Sequence, residues 1–156
     1  MTHLRTILVF VATAALATAQ ERDVRISNPP TLSKPNGYSY IVEVNSGKVV
    51  YVAGQIAADQ DGNIVCKGDF AGQVRQVFEN LTAATKAVGG SLKDIVKLNY
   101  YISETVDRSL IPKLREIRAG YLPSPMPPAS TLLFVKGLAS PDYLIEIEAA
   151  VVNGPK

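Results

Sequence analysis

The last apolar segment of the chain carries two carboxylates at a spacing that suits acid–base chemistry. Glu146 and Glu148 alternate with apolar residues over positions 145–149, so a strand here would place both carboxylates on one face. Same-face neighbours lie roughly 7 Å apart, and partial shielding would raise the pKa of one carboxylate toward neutrality. A solvated strand face with salt-bridging lysines explains the same pattern, and spacing alone favours that simpler interpretation.

Polar groups at two other predicted strand ends could contact a small ligand. Ser130 and Thr131 follow a proline-rich approach over residues 123–128, which would hold both hydroxyls at the mouth of a strand. Gly54 and Gln55 end an earlier apolar run, where glycine permits close approach and glutamine offers both a donor and an acceptor. A rigid loop and an ordinary strand terminator explain these two features equally well.

Histidine and cysteine chemistry is largely excluded. The one histidine, His3, lies in an N-terminal segment that we expect to be removed, which excludes Ser-His-Asp catalysis and histidine-ligated metals. Cys66 is the only cysteine, and we expect it to be a small buried residue without a disulfide. The acidic run at 59–63 lacks the closing glutamate of an EF-hand and is typical of a turn. We therefore expect no metal and no cofactor.

The N-terminus predicts export. Arg5 precedes an apolar run over residues 6–16 that is too short to span a bilayer, and small residues follow at 17–19. We expect residues 1–19 to be a signal peptide, so that the mature chain begins at Gln20, is periplasmic or secreted, and has no membrane contact after cleavage. An uncleaved membrane anchor is the alternative.

The charge balance gives no support for a nucleic-acid partner. The chain has 16 lysines and arginines against 14 aspartates and glutamates, a formal net charge of +2, and its basic residues form no stripe with interleaved aromatics. We expect these side chains to form solvated faces.

Periodicity predicts an α+β domain over residues 37–156, after a proline-rich lead-in at 20–36. Helices are predicted over 70–88, with Asp69 as N-cap, and over 110–119. A turn at 45–47 would join the first two strands as a hairpin. The order is βββαβαββ, with strands predicted over 38–44, 48–53, 64–65, 95–102, 129–135 and 143–152.

Two predicted strands, at 49–52 and 132–135, are apolar on both faces. Two helices can cover only one face of a sheet, so another surface must cover the second face. A second copy of the same chain is the simplest candidate, and self-association is expected from this pattern alone.

Several short motifs, in this order and spacing, resemble the reactive-intermediate deaminase family, also called the YjgF or RidA family. The motifs run from about Pro35 to Val151 and comprise Gly37-Tyr38-Ser39, residues 51–55, 73–76, 79–81 and 88–97, Pro128-Ala129, and residues 145–149. The resemblance implies a chorismate-mutase-like fold, with a six-stranded, mostly antiparallel sheet and two helices on one face. It also implies a homotrimer with ligand clefts between subunits.

The resemblance also implies an activity, the hydrolysis of enamine and imine intermediates to 2-oxo acids and ammonia. Glu146 would then orient or activate water, and Tyr38 would line the cleft. From their places at the strand ends, we predict that Gly54, Gln55, Ser130 and Thr131 contact the small-molecule ligand. In the family an arginine after the Pro-Ala pair binds the substrate carboxylate, whereas this chain has Ser130 there. A serine cannot replace a bidentate charged clamp, so we expect weak deamination of typical 2-imino acids unless Lys113 or Lys136 supplies the charge.

Three functions remain open from the sequence. The first is hydrolysis of a small imine, enamine or related carbonyl compound by Glu146 and water. The second is non-catalytic binding of a small ligand in the same interface cleft. The third is ribonuclease activity, which we rank last because the sequence shows no basic groove.

Overall fold

The computed structural model describes residues 22–154 and contains six strands and two α-helices. The predicted signal peptide, residues 1–19, lies outside the described residues. The elements in chain order are β1 Asp23–Ser27, β2 Ile41–Ser46, β3 Lys48–Gln55, α1 Phe70–Ala87, β4 Ile95–Ser103, α2 Ile111–Ala119, β5 Ala129–Val135 and β6 Ile145–Asn153. This order confirms the α+β class.

The first three strands differ from the predicted ones. Residues 64–65 form no strand, because Ile64 makes only an isolated antiparallel bridge to Ala58. The additional strand is β1, in the lead-in that was predicted to be irregular. The predicted hairpin at 45–47 does not form either, since β2 pairs antiparallel with β1.

The six strands are divided between two sheets, which differs from the single sheet expected. β1 and β2 form a two-stranded sheet, and the other four strands form a sheet in the order β3-β6-β4-β5. All pairs in the larger sheet are antiparallel except β4 with β5. Gly47, between β2 and β3, has a φ of +125°, and a Cβ atom there would lie 2.6 Å from the Val152 side chain. The chain can therefore pass from one sheet to the other at this glycine.

The two helices cover one face of the four-stranded sheet, as predicted. Asp69 caps α1 by accepting a hydrogen bond from the Gly72 amide at 3.0 Å. Inward-facing residues of α1, α2, β4 and β6 form one buried core, which includes Val74, Phe78, Leu81, Leu98, Leu114, Ile145 and Ile147. Pro112 lies in the first turn of α2, where its missing amide is tolerated.

The other face of this sheet, here called the open face, is uncovered in a single copy. It carries a mixture of charged, aromatic and apolar side chains, including Tyr51, Lys97, Asn99, Tyr101, Leu133, Glu146 and Glu148. Tyr51 is 84% exposed, and Leu133 is 49% exposed. The alternation of β6 is therefore as predicted, with isoleucines facing the helices and both glutamates on the open face.

Two local features complete the fold. Cys66 is exposed and adopts a φ of 54° in the turn before α1, so the prediction of a buried cysteine was wrong. The run at 59–63 is a turn, in which the Asp59 carboxylate accepts hydrogen bonds from the amides of Asp61 and Asn63. Within residues 22–154, no helix is both long and apolar enough to cross a membrane.

Candidate functional site

Glu148 is held by two donors from the neighbouring strand β4. The Asn99 amide nitrogen donates to its Oε1 at 2.7 Å, and the Tyr101 hydroxyl donates to the same oxygen at 2.9 Å. These hydrogen bonds favour the ionised carboxylate and lower the pKa of Glu148. The sequence had suggested that one carboxylate of the pair has a raised pKa, whereas the pKa of Glu148 is lowered. Glu148 is therefore ionised at neutral pH.

Glu146 occupies a different position, near the end of β3. It faces Tyr101 across the β4–β6 ladder, and its side chain lies directly over Gly54. A Cβ atom at position 54 would overlap the Glu146 carboxyl group, so only glycine leaves the carboxylate in this place. The group that approaches the backbone closely at Gly54 is thus the side chain of Glu146, from the same sheet.

Gln55 does not accompany Glu146. Its amide nitrogen donates to the Ala53 carbonyl at 3.1 Å, and the residue lines a cavity of about 540 Å³ with Asn80 and Ala84 of α1. β3 is irregular between Val52 and Gln55, and Gly54 lines the same cavity as Gln55. That both residues contact one ligand stays a prediction.

A shallow cavity of about 410 Å³ lies on the open face beside Glu148. Tyr51, Lys97 and Asn99 contribute to its lining. Burial lowers the pKa of Lys97, whose amine donates to the Thr131 hydroxyl at 2.7 Å. Thr131 therefore lies on the open face, in contact with a cation of the same chain.

The segment that carries Tyr38 lies beside the beginning of β5, where Ser130 is found. Ser39 forms a parallel bridge with Ala129, and its hydroxyl donates to the Pro127 carbonyl at 2.6 Å. Tyr38 stacks edge-on against Tyr40 with ring centroids 5.3 Å apart. Interaction with the Tyr40 hydroxyl raises the pKa of Tyr38. Here Tyr38 lines a cavity of about 470 Å³, called below the Tyr38 cavity.

Ser130 and Glu146 do not meet within one chain. Ser130 pairs with Leu98, whose side chain is fully buried on the helix side, whereas Glu146 is on the open face. The register places them three residues apart along the sheet and two strands apart across it. Strand geometry converts this to about 10 Å in each direction. A small ligand that contacts both ends would need two copies of the chain.

Neither lysine suggested as a substitute for the missing arginine reaches the Tyr38 cavity. The Lys113 amine pairs with Glu116 at 2.8 Å, and Lys136 is exposed just after β5. The buried cation that lines the cavity is Arg118, which was predicted to lie on a solvated helix face. In the sequence, Arg118 follows Leu114 by four residues and is next to Ile117, and both of these residues face the inner side of α2. This spacing is the sequence feature that could have indicated the burial of Arg118.

Comparison with known proteins agrees with this architecture. Residues 31–153 match the family model described as Endoribonuclease L-PSP. A 2-iminobutanoate/2-iminopropanoate deaminase from Dermatophagoides farinae is 32% identical over 131 residues, which cover 82% of this chain and 95% of that protein. The 3-aminoacrylate deaminase RutC from Acinetobacter baylyi is 31% identical over 119 residues, 76% of this chain and 86% of its own.

A solved structure supports the same assignment. A member of the conserved Rid protein family from Yersinia pestis is 32% identical, with a TM-score of 0.76 over 83% of this chain and 98% of that chain. The match to the family model spans most of the sequence, and the relatives align over most of their own length. The chain therefore belongs to the Endoribonuclease L-PSP family, which is the YjgF and RidA-type family that its motifs resemble.

Proposed function

We propose that the protein hydrolyses small imines, enamines or related carbonyl compounds in a cleft between two copies of the chain. The observation that carries the proposal is the position of Glu146, whose carboxylate lies over Gly54 on the open face of the sheet. Gly54 leaves the space that the Glu146 carboxyl group occupies, and so it holds the carboxylate on the face that a second copy of the chain would cover. The named deaminase activities of two relatives agree with this chemistry.

The proposed reaction needs only water and one base. Glu146 accepts a proton from a water molecule as the water oxygen attacks the imine carbon, and it passes this proton to the nitrogen to give a carbinolamine. Glu146 then transfers the hydroxyl proton of the carbinolamine to the amino group, which leaves as ammonia as the carbonyl group forms. Glu148 would contribute a fixed negative charge, since Asn99 and Tyr101 hold it in the ionised state.

A second copy would complete the cleft by bringing its own β5 end toward Glu146. Ser130 lies at that end, about 10 Å along and 10 Å across the sheet from Glu146 of the same chain, and the segment that carries Tyr38 lies beside it. Open-face residues such as Leu133 and Tyr51 offer apolar surface for such a contact. Assembly and activity are therefore coupled in this proposal.

Non-catalytic binding of a small ligand in the same cleft is the alternative function. The ribonuclease activity in the family's description has less support, because β6 places Glu146 and Glu148 on the open face and the cavity beside Glu148 has one cation in its lining, Lys97. RNA backbones favour surfaces on which positive charge dominates.

The test compares Glu146→Gln with Glu43→Gln, a matched substitution at an exposed position of β2. Imines are generated in situ from alanine and from alaninamide, and ammonia release above the spontaneous rate is measured. Glu146→Gln is expected to reduce the rate about 10²- to 10⁴-fold, as loss of a general base typically does, and Glu43→Gln to leave it unchanged. Equal rates for wild type and Glu146→Gln, with both assembled, would reject the hydrolase and favour the binder.

A further inference from the structure

Arg118 is a buried cation without a carboxylate partner in the described part of the chain. Only 7% of its surface is exposed, and none of the ion pairs formed within residues 22–154 includes it. The Tyr100 hydroxyl is a buried neighbour of the guanidinium. Burial raises the pKa of Tyr100 to about 12, while the Arg118 charge and a hydrogen bond with Arg118 oppose that increase. Buried charges in proteins are ordinarily paired, so this guanidinium lacks the compensation that its burial requires.

The guanidinium lines the Tyr38 cavity, which has room for a small organic molecule. Of the residues that line this cavity, two are cationic, Arg118 and the exposed Lys34, and none is acidic. The remaining walls are largely apolar and include Leu122 and Pro127. The cavity therefore combines a net positive charge with apolar walls, which suits an anion that carries a short apolar group.

The backbone beside Arg118 is shaped to admit the guanidinium. Gly37 has a φ of +76°, and a Cβ atom at this position would overlap a terminal nitrogen of Arg118. A larger residue would therefore both strain the backbone and displace the guanidinium. Arg118 reaches this place from the last turn of α2, one residue before the helix ends. The cation thus lies between α2 and the segment that carries Tyr38.

We propose that Arg118 binds the carboxylate of a small organic acid in the Tyr38 cavity, with Lys34 contributing charge at the mouth. A planar guanidinium matches a planar carboxylate through two parallel hydrogen bonds, and exclusion of water strengthens the contact. This site supplies, from α2, a charge that Ser130 cannot supply from β5. Binding of an organic acid at Arg118 does not depend on the proposed hydrolase. Only the further step depends on it, namely that the bound carboxylate belongs to the substrate, which would then be an imino or enamino acid.

Binding of pyruvate tests the site separately from catalysis, because pyruvate contains no imine to hydrolyse. Titration calorimetry would compare wild type with Arg118→Met, with Arg118→Lys and with Arg115→Met, a control at an exposed position of the same helix. We expect Arg118→Met to weaken pyruvate binding roughly 10- to 100-fold, as the loss of a charged hydrogen bond does, and Arg118→Lys to weaken it less. Arg115→Met should bind pyruvate as wild type does.

Two ligands and two further variants distinguish carboxylate recognition by Arg118 from uncharged binding and from binding of any anion. Methyl pyruvate, which lacks the charge, should not bind, and inorganic phosphate should bind less tightly than pyruvate. Lys34→Met, at an exposed position, should weaken pyruvate binding several-fold, and it provides the test if Arg118→Met does not fold. Glu146→Gln should bind pyruvate normally even if it is inactive.

The proposal would be overturned by three results. The first is wild-type affinity for pyruvate in folded Arg118→Met, or in Lys34→Met if Arg118→Met does not fold. The second is equal binding of methyl pyruvate, and the third is no binding of pyruvate to the assembled wild type. Each leaves the outcome of the Glu146 test unchanged, so failure of the anion site and failure of the hydrolase can be told apart.

Discussion

Glu146 and Glu148 show how neighbours on one strand acquire different chemical roles from their surroundings. The alternation of β6 was sufficient to predict that they share a face, because it depends only on local backbone geometry. It could not predict that Asn99 and Tyr101 both donate to Glu148 while Glu146 lies over Gly54, since those contacts come from β4 and β3. The same limit applies to Arg118, whose burial depends on how the chain around Gly37 crosses α2.

At the residue scale, Tyr101→Phe is expected to raise the pKa of Glu148. The substitution removes one of the two donors that stabilise the ionised carboxylate, while Asn99 retains the other. A titration of the side-chain carboxyl carbon by ¹³C NMR would measure the change. Tyr51→Phe is the control, because Tyr51 is largely exposed and makes no such bond to Glu148.

The sign for stability follows from the lowered pKa of Glu148. Its hydrogen bonds stabilise the fold above the ordinary pKa of a glutamate, and this contribution is lost as the pH falls through the lowered value. The acid-induced loss of stability that comes from Glu148 should therefore be smaller in Tyr101→Phe than in wild type, and it should be complete at a higher pH. An unchanged carboxyl titration in Tyr101→Phe would contradict the assignment of the donor.

At the element scale, the predictions succeeded where local signals dominate. The apolar stripe and the Asp69 cap defined α1 almost to the residue, because both lie within the helix itself. Strand pairing was less predictable, since β2 could pair with either β1 or β3 and the choice depends on the path at Gly47. β1 was missed because the prolines that follow it suggested an irregular segment.

Gln73 connects α1 to the beginning of β6, and its loss should destabilise the domain. The side chain is fully buried, its amide nitrogen donates to the Asp142 carbonyl at 2.8 Å, and its oxygen accepts from the Leu144 amide at 2.9 Å. Gln73→Met leaves both backbone groups without a partner, and we expect a loss of about 2–4 kcal/mol in the free energy of unfolding. Urea denaturation would measure it.

The matched control for this prediction is Gln76→Met, one turn along the same helix. Gln76 is partly buried and makes a single side-chain hydrogen bond, to Asn80 at 2.9 Å, so its replacement should cost less than about 1 kcal/mol. If Gln73→Met and Gln76→Met lowered the free energy of unfolding equally, the hydrogen bonds of Gln73 would contribute no more to stability than the single bond of Gln76.

At the scale of the whole molecule, the open face predicts self-association, and the family resemblance predicts that the assembly is a trimer. Apolar side chains on β3 and β5 remain exposed in one copy, among them Val49 at 44% and Leu133 at 49%. Leu133→Asp should shift the protein from trimer to monomer at micromolar concentration, because a buried unpaired carboxylate opposes association. Light scattering would measure the mass.

Leu32→Asp serves as the control for assembly, since Leu32 is equally exposed but lies in the lead-in before β2 and on no strand of the four-stranded sheet. It should remain trimeric. A folded wild-type monomer at the same concentration would contradict both the trimer and the cleft between copies. Export of the chain stays a prediction, because residues 1–19 lie outside the described part of the structure.

The contact between Gly54 and Glu146 has a genetic consequence. Gly54 has no functional group, yet any side chain at this position would overlap the carboxyl group of Glu146. Mutations in these two codons, which are far apart in the gene, would therefore give the same loss of activity in a screen. Alleles that change Gly54 to alanine or serine would be recovered alongside those that remove the glutamate. Reversion would require restoring the glycine, because no substitution at position 146 keeps the carboxylate in its place and also makes room for a new side chain.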